Sequence, residues 1–220
     1  MLSVVSTPIG NLEDITLRAL RILREADIIA CEDTRVTGKL LEHFGIPNNG
    51  RLLSFHSHSG FPKLEKILES LKRDAHVALV SDAGTPGISD PWSILISRAI
   101  AEGITITPVP WASAVLAGLV ASGFDTHQFL YLGFLPVKKW RQTLLRWLKG
   151  KSYTTVVYES VHRIRKTLTE LEGVLGTDHP ICIGREITKK FEEFTRGTIA
   201  EVRQYYEGEG KMKWEFVLIF

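Results

Sequence analysis

Asp82 and Asp90 bracket a loop, Ala83-Gly84-Thr85-Pro86-Gly87-Ile88-Ser89, whose composition suits close approach to a small ligand. Gly84 and Gly87 allow a sharp turn and leave no side chain between backbone and ligand. The two carboxylates could attract a cation, accept a proton or cap the following helix. A plain strand-to-helix turn would use similar residues. Two glycines, a proline and two acids within residues 81–90 favour a site over that plainer reading.

A second cluster, Glu32-Asp33-Thr34-Arg35, follows an apolar run directly. It reads either as a helix cap with a surface ion pair, which contributes little, or as a polar clamp in which Glu32 or Asp33 takes a proton. Residues 7–11 and 158–163 form two more polar, turn-rich loops. His56 and His58 share one face if their strand continues. With no third ligand they suit substrate contact or solvent rather than a metal. His162-Arg163 could bind a phosphate, although Ser160 explains the same stretch as a helix cap. Lys138, Lys139, Arg141, Arg146, Arg185, Lys189 and Lys190 make the C-terminal half locally basic, either as a nucleic-acid face or as a solvated one. Neither G-x-x-x-x-G-K-[ST] nor G-x-G-x-x-G occurs, which disfavours a P-loop and a dinucleotide.

Such loops need strands that end at them. Residues 77–80, Val-Ala-Leu-Val, are apolar throughout and read as a strand buried on both faces. Residues 2–5, 27–31, 52–55 and 104–109 read likewise. Helices fall between them. One is capped by Asp14 and carries Ile15, Ala19, Ile22 and Ala26 on one face. The next runs from a Thr34 cap to Gly45. A third starts at Pro62 with Leu64, Ile67, Leu68 and Leu71 aligned. A fourth has Asp90 as cap and Pro91 first, turns Leu95, Ile96, Ala99 and Ile100 inward, and stops at Gly103. A fifth follows Ser113 and ends at Gly123.

This alternation is the signature of a mostly parallel sheet covered on both sides, with its polar loops converging at the carboxyl edge. After a linker at 124–127, strands are expected at 129–132, 154–159, 181–185, 193–198 and 213–220. Helices are expected at 139–149, 162–174 and 199–206. The final strands lie so close together that part of this sheet must be antiparallel. The expected architecture is two α/β domains, residues 1–124 and 125–220. The first is mostly parallel, the second has a mixed sheet, and a ligand cleft lies between them.

An apolar content of 44% over 220 residues is enough for real cores, while a net charge of +2 announces no polyanion partner. Cys31 and Cys182 sit in apolar runs, as buried free thiols of a reducing cytosol would. No apolar run reaches 18 residues and no charged-then-apolar leader opens the chain, so a cytoplasmic protein is expected.

Six separated stretches carry a family resemblance. They are Ser6-Thr7-Pro8-Ile9-Gly10-Asn11-Leu12, Cys31-Glu32-Asp33-Thr34-Arg35, residues 81–91, Gly133-Phe134-Leu135-Pro136, Tyr158-Glu159-Ser160 with His162-Arg163, and Arg185-Glu186 with Thr188-Lys189. In these the chain resembles the tetrapyrrole methylase superfamily, and within it the enzymes that methylate small-subunit ribosomal RNA. The resemblance implies S-adenosyl-L-methionine as methyl donor and a cytidine ribose 2′-hydroxyl of the decoding region as acceptor. It also implies a homodimer and no metal. It puts Ile9, Asp82, Gly84, Thr85, Ser113, Ala114 and Tyr158 on the cofactor side. Asn11, Arg18, Arg35, His56, His58, Arg163, Arg185 and Lys189 fall on the RNA side. Glu32, Asp33 and Asp90 are left as candidates for the base. Two other readings stay open: a methylase of a small tetrapyrrole-like substrate, and an RNA- or nucleotide-binding module with an impaired cofactor pocket. The family pattern has glycine where this chain has Trp92, Trp111, Trp140 and Trp214. An indole is costly wherever such a position needs positive φ.

Overall fold

The computed structural model describes residues 1–55, 60–90, 92–110, 112–208, 210 and 215–220, with backbone alone at 60 and 61. His56 and His58, together with Pro91, Trp111 and Trp214, lie outside the described residues. The chain divides into two compact units, residues 1–113 and 114–220.

The first unit alternates strand and helix: β1 (Leu2–Val5), α1 (Leu17–Glu25), β2 (Ile28–Cys31), α2 (Thr34–His43), β3 (Leu52–Ser54), α3 (Gly60–Lys72), β4 (Val77–Leu79), α4 (Ser93–Ala101) and β5 (Ile106–Val109). The sheet order is β3-β2-β4-β1-β5 and its pairings are parallel. Side chains alternate along each strand, and here both faces are apolar. Leu2, Val4, Val77 and Leu79 pack with Leu64, Ile67 and Leu68 of α3 and Leu95 and Ala99 of α4. Val5, Ala78 and Val80 face the other way, against Ala19, Ile22 and Leu23 of α1 and Leu41 of α2. Of the four residues expected to turn inward on α4, Ile100 instead stays 59% exposed.

Three caps differ from expectation: α4 starts at Ser93 with Trp92, not Asp90, at its N-cap. Asp14 ends a short 3-10 turn, Leu12–Asp14, that is capped by Asn11. The cap of α1 is Thr16, whose hydroxyl accepts the Ala19 N–H at 2.9 Å. Helix α2 is capped by Asp33 rather than Thr34, its Oδ1 accepting the Arg35 N–H at 2.8 Å.

The second unit comprises α5 (Ala114–Ser122), β6 (Phe129–Phe134), α6 (Arg141–Leu148), β7 (Thr154–Glu159), α7 (Ile164–Leu175), β8 (Pro180–Arg185), β9 (Glu193–Thr198), α8 (Ile199–Glu207) and β10 (Phe216–Ile219). Its sheet runs β6-β7-β10-β8-β9. Strands β6 and β7 are parallel, and β10 and β9 pair antiparallel, so the sheet is mixed. Val157, Ile181, Ile183, Phe216 and Leu218 face a core shared with α6, α7 and α8. Helix α5 covers the opposite face, where a Cβ on Gly118 would meet Val217 Cγ1 at 3.0 Å. That close approach ties α5 to the second sheet, which puts the division before it, at 113, and not after it at 124. Cys31 and Cys182 are buried free thiols. Among the described residues no helix is long and apolar enough to cross a membrane.

Two of the four tryptophans can be placed. Trp92 is right-handed, with φ −71°, and fully buried, stacking on Phe55 at 5.0 Å between centroids. Trp140, just before α6, is left-handed at φ +68° and 66% exposed. A non-glycine residue there carries backbone strain that its exposed ring does little to offset. Trp140→Gly is expected to stabilise the protein by about 1 kcal/mol. Urea unfolding checks this: the midpoint should rise at constant m-value, and a lower midpoint contradicts it.

Candidate active site

Strands β1, β2, β4 and β5 are mutually parallel, so the loops after them leave from one edge of the first sheet. Backbone pairing joins the first two loops reached from the centre. The Thr7 N–H donates to Gly84 O at 2.9 Å and the Gly84 N–H to Thr7 O at 3.0 Å. The Ser6 hydroxyl donates to Thr85 Oγ1 at 3.0 Å, and that of Thr7 to Ser81 O at 3.0 Å. Gly84 has φ +81°, and a Cβ there would lie 3.4 Å from Ile9 Cγ2 and 3.5 Å from Ala112 O. The loops after β1, β4 and β5 therefore pinch together at a residue that must be glycine. The β2 loop is tied in by the Asp33 N–H, which donates to Asp82 Oδ1 at 3.0 Å.

Four carboxylates gather at this edge, and their surroundings differ. Asp33 is held by Arg35, with Nη2 to Oδ2 at 2.6 Å and Nε to Oδ1 at 3.0 Å, while also capping α2. Asp90 Oδ1 accepts the Gly87 N–H at 2.7 Å and the Trp92 N–H at 3.0 Å. Burial raises the Asp90 proton affinity and those two N–H groups lower it. Glu32 is also raised above the ordinary glutamate value, first by burial and then by the charges of Asp82 and Asp90. The Asp82 backbone N–H opposes that rise, as does, more weakly, the buried Trp92 indole N–H, which lies beside Glu32 outside hydrogen-bonding geometry.

Beside these groups a pocket of about 260 Å³ opens between the β1 loop and α2. Pro8, Leu12, Val36 and Leu40 give it apolar walls, and Thr7, Thr37, Lys39, Ser81 and Asp82 supply its polar atoms. The sequence offered no signal for Thr37, Lys39 or Leu40, which look like ordinary residues of an amphipathic helix. Asn11 and Arg18 are exposed near the start of the chain, Asn11 accepting the Glu13 N–H. Arg35 is exposed beyond its pairing with Asp33.

In the second unit Tyr158 lies between Tyr131 and Phe134, with both ring centroids 5.4 Å away. Burial and then Tyr131 push its phenol well above the usual range, while the Val115 N–H beside it pulls the other way. The start of α5, at Ala114, is thus close to Tyr158. Ser113 ends the first unit.

The basic residues divide. Arg163 donates to Leu135 O at 2.9 Å and pairs with Glu159 at 2.7 Å. Arg185 is buried, pairing with its cross-strand neighbour Glu193 at 2.9 Å and donating to Phe191 O at 3.2 Å. Both arginines, expected on the RNA side, have guanidinium groups engaged within the protein. Lys189 is half-buried in the turn between β8 and β9. Arg141, read from sequence as part of a basic surface, is buried with Glu170 Oε2 at 2.7 Å and Glu159 Oε2 at 3.6 Å.

S-adenosylmethionine carries a sulfonium cation and a flat purine. The edge fits the cation, because Glu32, Asp33, Asp82 and Asp90 outnumber the one nearby guanidinium. The Gly84 cradle fits close approach of a ligand, since a side chain there would fill it.

Residues 1–203 match the family of Tetrapyrrole (Corrin/Porphyrin) Methylases. The chain is similar to Ribosomal RNA small subunit methyltransferase I of Halalkalibacterium halodurans, 47% identical over 99% of this chain and 74% of that protein. It is similar to the protein of the same name in Escherichia coli O157:H7, 42% identical over 99% of this chain and 76% of that one. Among solved structures, diphthine synthase superposes with TM-score 0.75 at 15% identity, covering 100% of this chain and 89% of its own. The methyltransferase CobJ does so with TM-score 0.73 at 20% identity, covering 99% and 92%. At such identities these two establish the fold.

Glu159 is the hub of the buried network in the second unit. It has no solvent exposure and takes Arg163 at 2.7 Å, the Ser160 N–H at 2.8 Å and the Thr167 hydroxyl at 2.6 Å. Glu159→Ala leaves Arg163 without its charge partner and Arg141 with Glu170 alone, and is expected to cost about 3–5 kcal/mol. Chemical denaturation measures the loss; a change under 1 kcal/mol would show that the network contributes little.

Proposed function

The chain belongs to the tetrapyrrole (corrin/porphyrin) methylase family, and from that premise we propose that it transfers the methyl group of S-adenosyl-L-methionine to the ribose 2′-hydroxyl of a cytidine in small-subunit ribosomal RNA. The methyl bound to a sulfonium is already electrophilic. What remains for the protein is to align the attacking oxygen and to take its proton.

In this reading Ile9, Gly84, Thr85 and Asp82 in the first unit hold the cofactor; Ser113, Ala114 and Tyr158 are counted on the cofactor side from the family resemblance. Asp82 faces its positive charge. Glu32 takes the 2′-hydroxyl proton. The observation that carries the reading is the contrast among the three candidate bases. Asp33 is paired with Arg35 and caps its own helix, and Asp90, raised by burial, has no neighbouring charge adding to that and accepts two backbone N–H groups. Glu32 alone has its proton affinity raised by two neighbouring carboxylates as well as by burial.

The pocket beside α2 supports a nucleotide over a macrocycle. At about 260 Å³ it has room for one planar base between Pro8-Leu12 and Val36-Leu40, and ligand pockets that bury larger molecules run to several times that volume. Asn11, Arg18 and Arg35 then lie on the RNA side. Homodimer assembly and a cytoplasmic location belong to the same reading and follow from the family resemblance.

Glu32→Gln tests the base. Methyl transfer from labelled S-adenosylmethionine to small ribosomal subunits should fall by about 10²–10⁴-fold, with cofactor binding retained. In the parent, kcat/KM should rise with pH through a value above the ordinary glutamate range, and that limb should vanish in the variant. Stability follows with the opposite sense. A raised carboxyl value favours the folded state while protonated, and that advantage is lost as pH rises through it. The glutamine variant should therefore be the more stable of the two above that pH. Undiminished transfer by Glu32→Gln removes it as the base.

A further inference from the structure

Between Val137 and Tyr153 the chain has six cations and no carboxylate in seventeen residues. The whole chain carries nearly as many acids as bases, 25 against 27, so a segment this one-sided is not the mixed surface that solubility alone favours. Arg141 belongs to the buried network and is spent there. Lys138, Lys139, Arg146, Lys149 and Lys151 are all exposed. Among the described residues none of these five forms an ion pair within 4.0 Å; Arg141 draws in Glu159 and Glu170, the acids of neighbouring elements.

The fold gathers these charges around α6. Arg141, Leu145 and Leu148 face inward, which leaves Gln142, Thr143, Arg146 and Trp147 outward by helical geometry. Four lysines and two aromatics flank the helix in the segments at its two ends. The aromatic rings are exposed instead of buried: Trp140 by 66%, Trp147 by 47% and Tyr153 by 42%. Lys151 Nζ sits 4.2 Å from the Trp147 centroid, and Lys139 Nζ 5.6 Å from that of Trp140. Both tryptophan faces are thus held beside a cation.

Cations alone would serve any polyanion. Flat rings interleaved with them suit a strand whose phosphates pair with lysine while its bases stack. We propose that the α6 face, from Lys138 to Tyr153, is an RNA-binding surface that engages single-stranded or looped small-subunit RNA. The inference rests on the ribosomal RNA reading above and adds a docking surface to it. Helix α6 is about 12 Å long, so the strip with its flanks spans a few nucleotides.

The test uses the full chain and a labelled small-subunit RNA fragment containing the target cytidine, followed by fluorescence anisotropy over a salt series. Combined Lys138→Ala, Lys139→Ala, Lys149→Ala and Lys151→Ala should weaken binding at least tenfold. It should also flatten the slope of log affinity against log salt by about 3. Trp147→Ala should weaken binding by about five- to a hundredfold, with Trp147→Phe restoring most of it. Calorimetry with S-adenosylmethionine and the thermal midpoint verify that each variant is folded. Parent-like affinity and slope in the lysine variant, with the parent methylating small subunits, overturn the surface alone. A parent that neither binds the RNA nor methylates subunits overturns the functional reading, and this surface with it. Loss of binding to phosphatidylserine vesicles with RNA affinity intact would mark a membrane face, and would also overturn the proposal.

Discussion

Asp82 accepts the Asp33 backbone N–H at 3.0 Å, and this one hydrogen bond joins the loops that follow the paired strands β2 and β4. It brings two acidic loops into contact where mutual repulsion would otherwise part them. A carboxylate offered a backbone N–H can keep its charge near its neighbours. Asp33 is further compensated by Arg35, and Asp90 by Gly87 and Trp92. Glu32 is relieved in part by the Asp82 backbone N–H, yet burial and the charges of Asp82 and Asp90 leave its proton affinity raised. In the reading proposed above, this is the acid that takes a proton.

Parallel pairing makes that arrangement possible. Because β1, β2, β4 and β5 run the same way, everything polar that follows them leaves at one edge, and everything apolar within them is covered by two helices on each face. Gly84 then allows three of the loops to close on one another without a side chain between them. The second unit reaches stability by a different route. Its mixed sheet carries a buried cluster in which Glu159 holds two arginines, so its strongest charges are turned inward. Outside, four exposed lysines gather around α6, and among the described residues none of them forms an ion pair.

Much of this was legible in the sequence, for identifiable reasons. Strands such as 2–5 and 154–159 stand where read because apolar runs within them end abruptly at polar loops. The three first-unit loops were recognisable because glycine, proline and acids crowd into so few positions. The cap of α1 was not, since Asp14 and Thr16 are comparable caps and only the finished turn at Leu12–Asp14 decides between them. Helix α5 was assigned to the wrong side of the boundary. Its residues are apolar on every side, so no stripe pointed to a sheet, and the deciding contact is Gly118 against Val217, ninety-nine positions later. Arg141 and Arg185 were read as surface charge because their partners, Glu170 and Glu193, lie across a helix pair and across a sheet, while Arg163 pairs with Glu159 only four positions away. Sequence spacing shows that a charge exists and is silent on whether it is already paired. The pocket beside α2 depends likewise on how a loop and a helix meet.

The central claim is that the acidic edge of the first sheet recognises positive charge on its ligand, with Asp82 as the principal contact. Calorimetry of Asp82→Asn with S-adenosylmethionine and with its neutral thioether product S-adenosylhomocysteine addresses this directly, because the two ligands differ at the sulfur. The account predicts that the substitution erodes the preference for the sulfonium form by about tenfold while the thioether loses little. Equal losses for both ligands, or none for either, would contradict it.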